Sequence, residues 1–337
     1  MVSHTDHRVP DRGGPWVYLL VLVCLTGGLA GLAQPAAAAG VTIHDWRGAS
    51  VTVEEGAVDS DGVRIVFHTV GEGPLVVFVH SITGPWFDFR HQIVALSANH
   101  RVVSMSTRGT DQSDKPTGVE AYASARIADD IAAVIDHFGE ERAIIVGQDS
   151  GGLHAWHFAM THPERTAALI SLGSVHPAGL IRELATNPEQ QQASQFQRNM
   201  QENPSAGTQF GERMRSAPPR PDDSPELGRL RTAAYARLDP QSIVNFYLAN
   251  WPRSPVTLDS EGFGFTIDTF PPVQAPTLLI YGKDSGPFLN ATLDGMWQWV
   301  EGDLTMRVLP GVGHGPHTEA PGLVTPLMLE WLEARDR

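Results

Sequence analysis

From Gly62 onward the chain alternates short apolar runs with polar turns. Val63 to Val70 and Leu75 to Val79 read as strands separated by Gly71-Glu72-Gly73-Pro74, and the second is apolar on both faces, as a strand buried between two layers must be. Arg101-Val102-Val103 is a further extended segment, followed by the polar loop Arg108 to Pro116 and a helical pattern from about Ala121 to Phe138. Strand Ala143 to Val146, helix Leu153 to Thr161 and strand Ala168 to Leu172 come next. Strands alternating with helices predict an α/β fold with a mostly parallel, doubly wound sheet. Strand character is lost between about His176 and Asn250, where helical patches occur at Ile181–Thr186, Ala193–Gln201 and Leu227–Leu238. Gln190-Gln191-Gln192 and Pro218-Pro219-Arg220-Pro221 interrupt this stretch, so it reads as a helical insertion with a flexible middle. Strands return at Pro276–Tyr281 and Met306–Leu309, a last amphipathic helix covers Leu323–Ala334, and no internal repeat is present.

Ahead of this pattern, Arg8 and Arg12 precede an apolar run from about Trp16 to Leu32, closed by Ala36 to Ala39. That is the layout of a secretory leader, with cleavage expected near Ala38 or Ala39; the small-residue tail argues against an uncleaved anchor. The expected organisation is a leader over 1–39, a core in two parts over 40–175 and 252–337, and a helical cap over 176–251. Cys24, the single cysteine, lies in the apolar run behind Val23, so the mature chain is expected to be secreted and free of cysteine. About 300 mature residues bury a core large enough to need no disulfide support. The net charge of −14 survives loss of the leader, where Asp6 and Asp11 offset Arg8 and Arg12. An acidic surface argues against nucleic acid and, once the leader is gone, against stable membrane association; it does not exclude a homodimer.

The chemistry sits where Ala143-Ile144-Ile145-Val146 runs into Gly147-Gln148-Asp149-Ser150-Gly151-Gly152 and a helix begins. Small residues two positions either side of Asp149 are what a sharp strand-to-helix elbow needs, and the elbow exposes its central side chain above the sheet edge. An Asp there forms an alkyl ester rather than an acyl one, so it attacks a strained or activated C–O or carbon–halogen bond. Releasing the ester requires activated water, the task of a histidine oriented by a carboxylate. Asp284, just past the strand ending at Tyr281, and His314, in Gly311-Val312-Gly313-His314, stand in the chain order of the α/β-hydrolase fold. Ser150 is a weaker nucleophile candidate, because position 148 would then have to be small and is Gln. His314 and His317 lack neighbouring ligands at metal spacing, so no metal or cofactor is expected, and His317 is expected to be exposed or at the pocket entrance. Trp156, Phe158 and Met160 on the helix after the elbow read as core, and His154 and His157 as packing or surface residues.

Several motifs in one order resemble the epoxide-hydrolase family. His80-Ser81-Ile82-Thr83-Gly84-Pro85-Trp86-Phe87-Asp88-Phe89-Arg90-His91-Gln92 looks like HGFPxxWxxWRHQ without a gap, and Arg108-Gly109 to Ser113-Asp114-Lys115-Pro116 looks like RGYGxSDKP. His162-Pro163-Glu164-Arg165 resembles HPER, and His314, Glu319 and Pro321 fall on GHxxxxExP. The resemblance covers roughly Gly56 to Arg337 and implies that Asp149 attacks an epoxide carbon of a small hydrophobic substrate, after which His314, held by Asp284, activates the water that releases a diol. It further implies an oxyanion hole built from the backbone N–H groups of Ser150 and Ile82, a cap donor at Tyr247 within Asn245-Phe246-Tyr247, and a pocket bordered by His80, Trp86, Gln192 and His176.

The chain also departs from the pattern. Gln192 stands nearest the second cap donor, where the family has Tyr or His; it can donate a hydrogen bond but not a proton, which leaves Tyr247 alone or with His176 or Tyr235. Ser81 and Thr83 replace the Gly and Pro of HGxP, which puts the aim of the Ile82 N–H in question. The family's acid position lands on Ser285, and a one-residue loop adjustment is expected to bring Asp284 into its place. Alternative readings are a dehalogenase with the same nucleophile, disfavoured by Ser150 and Ile82 where halide holders would stand, and a low-turnover secreted binding or effector protein on the same scaffold.

Overall fold

The computed structural model describes residues 40–203 and 205–335; the expected leader and Cys24 lie outside them. In chain order the strands are β1 Val41–His44, β2 Ser50–Ser60, β3 Val63–Val70, β4 Leu75–Val79, β5 Arg101–Met105, β6 Ala143–Gln148, β7 Thr166–Leu172, β8 Thr277–Gly282 and β9 Leu304–Leu309. They form one sheet in the order β1-β2-β3-β5-β4-β6-β7-β8-β9. The pairings β1/β2, β2/β3 and β3/β5 are antiparallel, and from β5 through β9 the sheet is parallel. The long β2 and the short β1 precede the region where apolar patterning begins. Ser50–Ser60 is rich in acidic and small residues and only partly buried, and its pairing with β3 on one side and β1 on the other makes it a strand.

Helices α1 Arg90–Leu96, α2 Ser124–His137 and α3 Ser150–Thr161 alternate with the central strands. Between β7 and β8 the chain forms α4 Pro177–Thr186, α5 Pro188–Ala193, α6 Gln195–Glu202, α7 Ala206–Arg215, α8 Pro225–Ala236 and α9 Pro240–Asn250; α10 Pro316–Glu319 and α11 Pro321–Glu333 close the chain. Sequence patterning did not single out α7 or α9. Pro240 at the first turn and Asp239 as N-cap start α9, while α7 fills the expected flexible middle and packs Gly207 and Gly211 against Val244 and Pro240. No helix among the described residues is long and apolar enough to cross a membrane.

Both-face burial of β4 is what its uninterrupted apolar run requires. Val77 and Val79 pack with Ile131 and Val134 of α2 and Trp156 of α3, whereas Val76 and Phe78 pack with Ile93 of α1 and Val324 and Met328 of α11. Each such side chain contributes about 1.5–3 kcal/mol of burial, so the centre of the sheet is a rigid base for what projects from its C-terminal edge. Phe158 and Met160 are likewise core, and His154 and His157 are buried and bonded, His154 to Ser124 Oγ and His157 to the Phe263 carbonyl.

Candidate active site

Asp149 occupies the apex between β6 and α3 with φ 52° and ψ −122°, a conformation non-glycine residues rarely adopt and that costs about 1–3 kcal/mol. Two glycines allow the turn. A Cβ on Gly147 would lie 2.5 Å from the Gly151 carbonyl oxygen, and one on Gly151 would lie 2.2 Å from that of Val79. Ser174, past β7, donates its hydroxyl to the Asp149 carbonyl at 2.9 Å and fixes the apex from below.

The carboxylate so presented is held on both oxygens. His314 Nε2 lies 3.1 Å from Oδ1, and the Ser81 hydroxyl donates to Oδ2 at 2.7 Å. Burial pushes the Asp149 pKa up, but the His314 charge and hydrogen bond, the Ser81 hydroxyl and the Ser150 N–H together hold it below the usual carboxylate range. Burial pushes His314 down, and the Asp149 charge and hydrogen bond, with a smaller contribution from Glu319, raise it instead. The two shifts describe one ion pair. Glu319 accepts the N–H groups of Gly313 and Gly315 at 2.7 and 2.8 Å and so clamps the loop that carries His314.

Asp284 does not reach His314. Its side chain is exposed, and the buried neighbour, Ser285, puts its Oγ 3.2 Å from His314 Nδ1. The expected loop adjustment is absent because the Asp284 N–H bonds the Val312 carbonyl and the Ser285 N–H bonds that of Gly282, a tight turn that directs position 285 inward. Ile82 is a second correction: its N–H donates to Ser150 Oγ at 2.7 Å rather than pointing at Asp149.

Asp149 and His314 open onto a cavity of about 710 Å³ whose walls include Ser81, Thr83, Gln148, Met214, Arg220 and Tyr235. These walls are mostly polar, which modifies the expectation of a wholly hydrophobic substrate. His317 also lines the cavity yet is buried, not exposed, and burial pushes its pKa down to about 3. Tyr247 is buried in α9 among the rings of Phe196, Phe246 and Trp251. Burial and the Asp149 charge both raise its pKa.

Four expected pocket residues lie elsewhere. Gln192 is exposed on α5, a helix whose buried face carries Gln190 instead. His176 caps α4, accepting the Ala178 N–H at 3.2 Å, and stacks on Trp299 with ring centres 5.0 Å apart. His80 donates from Nδ1 to the Ser81 carbonyl at 2.7 Å, shaping the turn from behind, and Trp86 stacks on His68 at 3.8 Å. Conversely, Asp88 escaped notice in the sequence. It lines the cavity and binds two arginines of the insertion, Arg220 at 3.0 Å and the buried Arg231 at 2.8 Å. An acid inside the buried Trp86–Phe89 turn was its only sequence signal.

The strand order, the elbow and a histidine on the loop after the last strand define an α/β hydrolase, and the chain belongs to that family: residues 74–321 match the alpha/beta hydrolase fold model. Among similar proteins, an AB hydrolase superfamily protein, YfhM of Bacillus subtilis, is 37% identical over 123 residues, covering 36% of this chain and 43% of that protein. Epoxide hydrolase B of Mycobacterium tuberculosis is 40% identical over 102 residues, 30% of this chain and 29% of that protein. These matches thus span less than half the length of the curated relatives. A solved structure described among novel epoxide hydrolases of the superfamily from metagenomes of hot environments superimposes with a TM-score of 0.71 at 27% identity, covering 84% of this chain and 99% of that one. Its relatives also include epoxide hydrolase 2 of Siraitia grosvenorii, 31% identical over 125 residues, 37% of this chain and 39% of that protein.

Proposed function

We propose that this enzyme opens epoxides to vicinal diols through a covalent ester on Asp149. The observation that carries the reading is a carboxylate at the elbow apex, kept ionised beside His314 and facing the cavity. Oδ1 attacks an epoxide carbon, and the ring oxygen takes a proton from Tyr247 or from Tyr235, the tyrosine that lines the cavity. Esterification removes the Asp149 charge that raises His314, so burial then favours the neutral imidazole: the ring gives its proton to solvent, can accept one from water, and regains the solvent proton once the Asp149 carboxylate is restored. Substrates with a polar substituent toward Thr83, Gln148 and Arg220 fit this cavity better than purely apolar ones. Export after loss of the leader is part of the proposal, checked by N-terminal sequencing of the secreted protein.

The test is a single turnover in 18O water with a panel of epoxides, followed by mass spectrometry of the Asp149 peptide. One 18O in that peptide and a diol support the reading; halide release from haloalkanes would favour the dehalogenase. No label, no diol and no halide would overturn both.

A further inference from the structure

Ser81 occupies the position that holds glycine in the HGxP pattern, and its side chain has entered the site. The hydroxyl is buried, donates to Asp149 Oδ2 at 2.7 Å, lies 3.2 Å from Thr83 Oγ1, and accepts the Thr83 N–H at 3.4 Å. With Thr83 engaging its lone pairs, its single proton is directed at the carboxylate. The Ile82 N–H, meanwhile, is occupied by Ser150 Oγ. We propose that the Ser81 hydroxyl is an oxyanion-hole donor of this enzyme, supplying from a side chain the hydrogen bond expected from the Ile82 backbone. The inference rests on the covalent-ester reading above.

In that step Oδ1 carries the alkyl group and Oδ2 is the ester carbonyl oxygen. Water oxygen bonds to Cγ while His314 Nε2 takes one of its protons, and the C=O electron pair moves onto Oδ2. The Ser81 O–H and the Ser150 N–H stabilise that oxyanion. On collapse the pair returns to Cγ–Oδ2, the Cγ–Oδ1 bond breaks, and the departing diol oxygen takes the proton from His314. The remaining water proton, on the new carboxyl, returns to the tyrosine that protonated the ring oxygen. Ser81 therefore acts most on ester hydrolysis, where charge gathers on Oδ2, and least on alkylation, where charge leaves the carboxylate.

The full-length wild type, Ser81→Ala, Ser81→Gly and Ser81→Thr are each mixed with an aryl epoxide, and the mass of the Asp149 peptide is followed through a single turnover. Ester should form in all four. It should decay about 100-fold more slowly in the Ala and Gly variants, accumulating at steady state with kcat reduced alike. The Thr variant, which keeps the hydroxyl, should stay close to wild type. Ser81→Gly adds no bulk and keeps the test open if Ser81→Ala misfolds. Ester that forms and decays at the wild-type rate in both hydroxyl-free variants overturns the assignment while leaving the covalent reading intact. A wild type that forms neither ester nor diol overturns the covalent reading, and the role of Ser81 with it.

Discussion

A carboxylate at position 285 should accelerate the second half-reaction. At present His314 Nδ1 faces a neutral hydroxyl at 3.2 Å, so the imidazolium formed when water attacks the ester has no counter-charge at that nitrogen. Replacing a neutral partner by an ionised one strengthens a hydrogen bond from about 1 to about 2–3 kcal/mol. The difference of about 1–2 kcal/mol is felt mainly by the charged form, and corresponds to a rate increase of about 5- to 30-fold in ester hydrolysis. Lys283 and Asp284 are exposed and a side chain on Gly286 would meet nothing within 4 Å, so the loop has room for the longer side chain. Rapid-quench measurement of ester decay in Ser285→Asp, with Asp284→Ala as companion, reads the effect directly. The same carboxylate raises the His314 pKa further, so the base form is lost at higher pH and the acid limb of kcat moves upward. Unaltered ester decay and an unmoved acid limb in a folded Ser285→Asp would refute the reasoning. A large loss in Asp284→Ala would show that Asp284 reaches His314 during turnover after all.

Three further outcomes follow from particular contacts. Tyr247→Phe should slow ester formation by about 100-fold if Tyr247 protonates the ring oxygen, and Tyr235→Phe should do so if that role is shared; single-turnover alkylation rates, with ester decay unchanged, distinguish the two. Arg231→Met leaves the carboxylates of Asp88 and Asp223 without their buried partner and should lower stability by about 3–5 kcal/mol, measured by urea unfolding. His176 is buried neutral, its pKa pushed by burial from 6.5 to about 3. The unfolded chain binds that proton first, so stability is full above about pH 6.5 and falls as pH drops toward 3, by up to about 1.4 kcal/mol per unit. Thermal melts of the wild type against His176→Gln over that range check the slope.

Much of the fold is legible along the chain because its central strands are buried on both faces. Leu75–Val79 and Ala143–Val146 carry uninterrupted apolar runs that admit one structural role, and the glycines around Asp149 specify the elbow by sterics alone. The strands β1 and β2 at one end of the sheet are not legible, because residues such as Glu54, Glu55 and Asp59 become a strand only through a partner supplied later in the sequence. The same division runs through the site. Local geometry makes Asp149 the exposed apex, and the loop after the last strand presents His314. Which side chain completes the histidine, Asp284 or its neighbour, depends on a turn closed by Val312 and Gly282. Which donor faces Oδ2, the Ile82 N–H or the Ser81 hydroxyl, depends on where Ser150 Oγ points across the elbow. The sequence by itself determined the sheet's centre, the apex acid and its histidine, since each follows from short-range patterning and steric necessity. The tertiary structure alone decided Ser285 over Asp284, Ser81 over Ile82 and the burial of His176 away from the cavity, because the first two turn on hydrogen bonds, and the third on ring stacking against Trp299, between segments far apart in the chain.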